Sequence, residues 1–170
     1  GISIETYSAK RGYAIAARFH ECGTPVVIGG YHATLCPEET GEHADAVCVG
    51  EAESVWHEIL EDAGRGHLKP FYRGDRNRAL QGLEPDRRIF RGKNYLPVAL
   101  VETSRGCPFQ CNFCSIGAAF QGTYRRRPVR EIVDELRQVR EKYVFFVDDN
   151  IVGDPAGARE LFAAIKPLGI

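Results

Sequence analysis

The sequence lacks methionine entirely, and none of its apolar runs approaches the ~18 residues that a membrane-spanning helix needs. It also lacks a charge excess, because 22 basic and 23 acidic side chains leave a net charge of -1, which argues against a general nucleic-acid-binding protein. No secretory signal pattern opens the chain. The composition predicts a cytoplasmic protein that acts on small molecules, and an apolar fraction of 44% suits a chain with a buried core.

Cysteine is distributed unevenly along the chain. Cys22, Cys36 and Cys48 stand singly, whereas the other three cysteines lie within eight residues, in the stretch SRGCPFQCNFCSI. This asymmetry favours one metal site in a reducing compartment over a framework of disulfides. No cysteine follows the cluster and no histidine follows His67, so a closed zinc site lacks an obvious fourth ligand nearby.

The two ends of the chain predict that it is a piece of a longer protein. Gly1 lies inside a predicted strand, and Ile170 follows directly on a predicted helix. We therefore expect both domains to be incomplete, with apolar sheet surface left exposed.

Residues 1–63 alternate predicted strands and helices in the order β-α-β-α-β-α, which is typical of a parallel sheet with helices on its faces. The predicted strands are 1–6, 25–30 and 46–53. The first helix ends at Gly23, and its predicted buried stripe comprises Tyr13, Ala16, Ala17 and Phe19. The last helix of this segment follows Ser54, which is a plausible N-cap.

Residues 64–94 are rich in glycine, proline and basic side chains, and they predict an interdomain linker with one short extended piece. A second β/α segment occupies 95–170. It comprises a strand over 96–104, a helix from Pro128, an apolar strand over 143–147 and a helix capped by Asp154. The sequence thus predicts an α/β protein of two domains.

The three clustered cysteines follow the first strand of the second segment with the spacing C-x3-C-x2-C, at Cys107, Cys111 and Cys114. Thiolates are soft ligands that suit zinc or iron-sulfur clusters, and a four-iron cluster held by three thiolates leaves one iron open. This spacing, with Phe113 just before the last cysteine, resembles the radical S-adenosylmethionine enzymes.

The resemblance implies a partial (β/α)6 barrel in which the three cysteines ligate a [4Fe–4S] cluster. Its open iron would bind S-adenosylmethionine, and reduction of the cluster by a flavodoxin- or ferredoxin-like donor would yield a 5′-deoxyadenosyl radical. The family places polar residues at the end of the second barrel strand, where they hold the amino group of S-adenosylmethionine. Asp148, Asp149 and Asn150 occupy that place here, and Phe113 of the cysteine loop is a further candidate to contact S-adenosylmethionine. Because adjacent strand residues face opposite sides, we expect the two aspartates to have different roles.

The first segment resembles the later half of the Rossmann-like cobalamin-binding domain that precedes the barrel in one large class of these enzymes. The resemblance rests on VVIGGYHATLCPEE and ADAVCVGEAE. It implies that Ser3, Gly29, Gly30 and His32 lie at the cobalamin pocket. The sequence has no Asp-x-His-x-x-Gly loop for a lower axial histidine and no G-x-G-x-x-G dinucleotide fingerprint.

Together these resemblances imply a cobalamin-dependent methyltransferase that acts on an unactivated carbon or phosphorus centre. One alternative is a non-methylating enzyme of the same family, such as a porphyrin-type oxidative cyclase. A second alternative is a zinc-stabilised binding module that uses the three cysteines and a carboxylate.

Overall fold

The computed structural model describes residues 1–90 and 92–169 and divides the chain into two compact units, Gly1–Arg78 and Ala79–Ile170. The division falls inside the predicted linker. Arg91 of that linker, and Ile170 at the end of the predicted barrel segment, lie outside the described residues. Both units are α/β with parallel strand pairing, as the alternating pattern predicts.

The first unit contains a four-stranded parallel sheet in sequential order. Its strands are β1 (Ile2–Ser3), β2 (Val27–Gly29), β3 (Ala46–Val49) and β4 (Phe71–Arg73). The predicted strand over 1–6 is much shorter than expected, since a 3-10 turn occupies Thr6–Ser8. The strand β4 lies in the segment predicted as linker, and its pairing with β3 makes residues up to 78 part of the first unit.

Four helices accompany this sheet, together with a second 3-10 turn at Ala52–Ser54. They are α1 (Ala9–Glu21), α2 (Tyr31–Leu35), α3 (Pro37–Gly41) and α4 (Trp56–Arg65). The predicted end of α1 is confirmed, because Gly23 adopts a φ of +69° just beyond it. The predicted β-α-β-α-β-α order places one helix between the second and third strands, and the two short helices α2 and α3 occupy this place.

Alternate residues of the sheet pack on opposite faces, as the two-residue period of strands requires. Val47 packs with α1 and α2 on one face, and Cys48 packs with Ile59 of α4 on the other. Two details of the predicted helices are wrong. Ala17 and Phe19 are exposed because α1 turns a narrower stripe toward the sheet. Ser54 is not the N-cap of α4, because its hydroxyl accepts a hydrogen bond from the backbone N–H of Asp75 instead.

The second unit contains two small sheets. The strands β5 (Val98–Val101) and β8 (Tyr143–Phe146) pair in parallel, whereas β6 (Ser104–Gly106) and β7 (Tyr124–Arg126) form an antiparallel pair. The predicted strand over 96–104 is therefore split into β5 and the start of β6. The helices of this unit are α5 (Ile116–Phe120), α6 (Val129–Gln138) and α7 (Pro155–Ile165). Two 3-10 turns lie at Arg87–Phe90 and Lys166–Leu168.

Helices α6 and α7 cover one face of the β5–β8 pair, where Val101, Ile132 and Leu161 are buried together. The predicted cap of α7 is confirmed, because the carboxylate of Asp154 accepts the backbone N–H of Ala156 at 3.1 Å. Phe162, also on α7, is 44% exposed. The opposite face of the pair is open and apolar, with Leu100, Tyr143 and Phe145 all more than half exposed.

None of the helices in the described part of the chain combines the length and the apolar composition that a membrane crossing requires.

Candidate cluster-binding site

The cysteine loop begins where β6 ends and stops just before α5, so its two ends are held by regular structure. Gly106, immediately before Cys107, adopts a φ of +81°. A Cβ atom at this position would lie 2.0 Å from the carbonyl oxygen of Thr123. The loop therefore leaves β6 through a backbone conformation and a close approach that only glycine permits.

The three cysteines are all free, and they present their thiols at the surface of the unit. Cys107 is half-buried, while Cys111 and Cys114 are exposed. The backbone N–H of Cys114 donates to the carbonyl oxygen of Cys111 at 3.1 Å, which closes a turn between them. Both residues line an open cavity of about 370 Å³ with Gln110, Gln121 and neighbouring small residues.

The spacing of the sulfur atoms bears on which metal the loop fits. Across residues 1–90 and 92–169, only one group of three potential ligands brings its atoms within 4.8 Å of one another, and the loop cysteines are not in it. A single zinc ion needs its ligands gathered around one point. In a four-iron cluster each thiolate binds a different iron, so the three sulfurs need not surround a single point.

Asp148, which follows β8, ties the end of this strand to the segment that leads into the cysteine loop. Its Oδ1 accepts hydrogen bonds from the backbone N–H and the hydroxyl of Thr103, both at 2.9 Å, and from the backbone N–H and the hydroxyl of Ser104. Its other oxygen, Oδ2, is buried and has no partner among the described residues. Buried carboxylate oxygens are normally hydrogen-bonded, so this acceptor is available for a ligand.

The next two residues contact the loop itself. Asp149 Oδ2 accepts the backbone N–H of Gly106 at 2.8 Å. Asn150 Nδ2 donates to the sulfur of Cys107 at 3.5 Å, while Asn150 Oδ1 accepts the backbone N–H of Val152. The three polar residues after β8 thus bind different parts of the segment 103–107, which ends at the first cysteine. A donor to a cysteine sulfur stabilises negative charge on it and adjusts the properties of a bound metal centre.

A buried ion pair lies behind this segment. Arg127 donates to Glu135 at 2.7 Å and to the carbonyl oxygen of Glu102 at 2.8 Å, and both charged side chains are at most 5% exposed. Arg87 also pairs with Glu135 and donates to the carbonyl oxygen of Leu100 at 2.8 Å. This network joins the end of β5 to α6.

A second arginine fixes β7 to α7. Arg126 donates to Asp154 at 3.1 Å and to the carbonyl oxygen of Gly157 at 2.7 Å. The backbone N–H of Gly157, together with Arg126 and the N–H of Ala156, lowers the pKa of the Asp154 carboxyl despite its partial desolvation. Asp154 is therefore ionised at neutral pH and serves as both cap and anchor.

In the first unit, the predicted residues Ser3, Gly29 and Gly30 lie together at one edge of the sheet. Ser3 pairs with Gly29 in the strand register. Gly30 adopts a φ of +97°, and a Cβ atom there would lie 2.7 Å from both the hydroxyl of Ser3 and the carbonyl oxygen of Ile4. The strand ends thus present an edge of small side chains and close backbone, where a bulky group can approach.

His32 lies close to this edge but is only 7% exposed. Its backbone N–H donates to the carbonyl oxygen of Ile4 at 3.1 Å, which attaches α2 to the end of β1. Its ring Nδ1 lies 3.1 Å from the hydroxyl of Thr6.

Asp148, Asp149 and Asn150 all contact the segment 103–107, which ends at the first cysteine. Phe113 is 87% exposed within the loop. The buried pair of Arg127 and Glu135 was not predicted from the sequence. A signal was present, because Glu135 stands three residues after Ile132 and one before Leu136, on the apolar stripe of α6.

The family model of the radical SAM superfamily matches residues 101–169, which include β6, the cysteine loop and β8. Among curated proteins, the chain is 31% identical to bacteriochlorophyllide d C-12(1)-methyltransferase of Chlorobaculum tepidum, over 99% of this chain and 40% of that protein. It is also 31% identical to anaerobic magnesium-protoporphyrin IX monomethyl ester cyclase of Cereibacter sphaeroides, over 66% of this chain and 23% of that protein. The chain thus spans less than half the length of these relatives.

Among solved structures, the chain resembles the radical S-adenosylmethionine methyltransferase TsrM of Kitasatospora setae, with a TM-score of 0.70 and 17% identity. The match covers 93% of this chain and 36% of that protein, and it shows a shared α/β fold. The cysteine spacing and the matched family model agree that residues 101–169 belong to the radical SAM superfamily, whose members use a [4Fe–4S] cluster and S-adenosylmethionine.

Proposed function

We propose that Cys107, Cys111 and Cys114 hold three irons of a [4Fe–4S] cluster at the end of a partial (β/α)6 barrel that residues 95–170 begin. The C-x3-C-x2-C spacing, which lies inside the segment matched by the radical SAM family model, is the observation that carries this proposal. Such a cluster, reduced by a flavodoxin- or ferredoxin-like donor of the cytoplasm, would supply the one electron that cleaves S-adenosylmethionine into methionine and a 5′-deoxyadenosyl radical.

The residues after β8 supply the polar contacts of S-adenosylmethionine in this proposal. Asp148 Oδ2 is a buried acceptor without a partner in the described chain, so it suits the ammonium group of this ligand. Asp149 and Asn150 keep the loop in place through Gly106 and Cys107. The exposed ring of Phe113 is free to pack against the adenine.

We further propose that residues 1–63, with the strand β4 that joins their sheet, belong to a Rossmann-like cobalamin-binding domain, and that the rest of the segment 64–94 connects it to the barrel. Ser3, Gly29 and Gly30 would form the wall against which the cofactor's nucleotide tail lies, since they carry small side chains or none at the ends of β1 and β2. His32 would support this wall through its bond to Ile4, because its ring is buried.

A pair of substitutions tests the cobalamin wall. In Gly30→Ala the new methyl group would collide with Ser3 and Ile4, so we expect cobalamin binding to be lost, as measured by spectroscopic titration. Ser3→Ala removes only an exposed hydroxyl and should weaken binding several-fold without affecting the fold. Gly64→Ala is the matched control, because nothing lies within 4 Å of the added Cβ in α4. Unchanged affinity in both test variants would place the cofactor elsewhere.

The reaction that we propose is transfer of a methyl group to an unactivated carbon or phosphorus centre of a small molecule, with cobalamin as the intermediate carrier. The support for it is that a relative that matches 99% of this chain at 31% identity is named as a methyltransferase. The chain's own share is to position the two cofactors and to exclude water from the reacting groups.

Isotope labelling tests methyl transfer. Cells that express the protein would be fed methionine with a deuterated methyl group, and their small molecules would be compared by mass spectrometry with those of cells that express Cys111→Ala. We expect a product that carries the intact labelled methyl group and is absent from the variant. A product that depends on the cysteine but carries no label would contradict methyl transfer.

That second result would favour the alternative function, an oxidative cyclisation without methylation. One observation supports this alternative. The cyclase of Cereibacter sphaeroides is as similar in sequence to this chain as the Chlorobaculum tepidum methyltransferase is, although over a shorter segment.

A further inference from the structure

A second cluster of metal-binding side chains lies in the first unit, away from the cysteine loop in sequence. His32 and Cys36 come from α2 and its end, and Glu39 comes from α3. The His32 ring nitrogen, the Cys36 sulfur and a Glu39 carboxylate oxygen all lie within 4.8 Å of one another. Imidazole, thiolate and carboxylate together form a donor set that zinc-class divalent ions prefer.

The ring of His32 provides independent evidence that this cluster binds a ligand. The side chain is more than nine-tenths buried, and its Nε2 has no hydrogen-bond partner among the described residues. Glu39 Oε1 lies 3.5 Å from this nitrogen without forming a hydrogen bond to it. The other ring nitrogen is 3.1 Å from the hydroxyl of Thr6, which can accept a hydrogen bond from the tautomer that keeps a lone pair on Nε2.

The cluster stands on a rigid backbone. His32 and Cys36 are four residues apart, and the N–H of Cys36 donates to the carbonyl oxygen of His32 at 2.8 Å. The hydroxyl of Thr40, which is fully buried, donates to the carbonyl oxygen of Cys36 at 2.9 Å. Two of the three candidate ligands are thus fixed by the fold, and only the half-exposed Glu39 has freedom to adjust.

We propose that His32 Nε2, Cys36 Sγ and the Glu39 carboxylate bind one zinc-class divalent cation. A tetrahedral zinc ion holds its ligand atoms roughly 3.5 Å apart, so the side chains need only a small contraction. The Cys36 thiol loses its proton to solvent on binding, and the fourth position remains open to water. The hydroxyl of Tyr13, which donates to Glu39 Oε1 at 3.2 Å, would orient the carboxylate from the outer shell.

The site depends neither on methyl transfer nor on cobalamin, because its ligands lie on α2 and α3 and not in the cysteine loop. The competing explanation is a protonated His32 that pairs with Glu39 and needs no metal. The two explanations differ in the role of Cys36, since only a metal site uses its thiolate.

The test is a Co²⁺ titration of the full chain in which Cys107, Cys111 and Cys114 are replaced by alanine, so that the loop thiolates cannot bind the probe. We expect one Co²⁺ per chain, with a thiolate-to-cobalt absorption band that Zn²⁺ removes by displacement. In Cys36→Ser the band should disappear. In Glu39→Gln the affinity should fall by at least the roughly tenfold that loss of an outer-shell partner costs.

Two controls match these variants. Glu38→Gln changes the exposed neighbour on α3, and Cys22→Ser removes an exposed cysteine of the same unit, so neither should alter the affinity. Circular dichroism would show that each variant is folded. A chain that binds no Co²⁺, or a thiolate band that survives Cys36→Ser, would overturn the proposal in favour of the His32–Glu39 ion pair.

Discussion

Replacing Cys111 with alanine is expected to abolish cluster assembly. The exposed thiol of Cys111 is one of only three soft ligands in the loop, and with two thiolates left a four-iron cluster is no longer held. After anaerobic reconstitution, iron bound per chain should fall from about four to near background, and the broad visible absorption should disappear. Iron and sulfide analysis of the desalted protein measures this directly.

Cys22→Ala is the matched control, because Cys22 is also free and exposed but lies at the end of α1 in the other unit. It should retain the full iron content. Equal loss of iron in both variants would mean that the cluster is bound by other cysteines than those of the loop.

Asp148→Asn is expected to separate ligand binding from loop structure. The amide oxygen can still accept the hydrogen bonds of Thr103 and Ser104, so the loop should keep its cluster. The amide NH₂ would replace the buried Oδ2 and would face the ammonium group of S-adenosylmethionine with a donor. Affinity for S-adenosylmethionine should fall by roughly 10- to 100-fold, the cost of a lost hydrogen bond to a charged group. The change in the electron paramagnetic resonance spectrum on addition of this ligand measures the affinity.

Asp148→Ala provides the structural counterpart. It leaves the backbone N–H groups of Thr103 and Ser104 without their acceptor, at a cost of roughly 3 kcal/mol, and should reduce cluster occupancy as well. Glu160→Gln, on the exposed side of α7, should change neither property. Unaltered affinity in Asp148→Asn would remove this residue from the S-adenosylmethionine site.

The sequence predicts much of the fold because its strands and longer helices carry clear periods. The parallel pairing of β1, β2 and β3, the end of α1 before Gly23 and the cap of α7 at Asp154 are all local signals that the structure confirms. The cysteine spacing is equally local, and so it led directly to the superfamily that the matched family model identifies.

What could not be predicted depends on contacts between distant residues. The strand β4 has little pattern of its own and is defined by its pairing with β3. The hairpin of β6 and β7 brings together segments about twenty residues apart, and the buried pair of Arg127 and Glu135 forms only once α6 is packed. Buried ion pairs of this kind offset their desolvation only in the assembled fold, so the position of Glu135 on the apolar stripe of α6 does not identify its partner.

In the proposed site, three loop cysteines hold a four-iron cluster with one iron left for a ligand. The most direct test of this site is metal and sulfide analysis of the anaerobically reconstituted chain, combined with electron paramagnetic resonance of the reduced protein. We expect about four irons and four sulfides per chain, and a signal that changes when S-adenosylmethionine is added. Zinc in place of iron, lost when Cys107, Cys111 and Cys114 are replaced together, would contradict the claim.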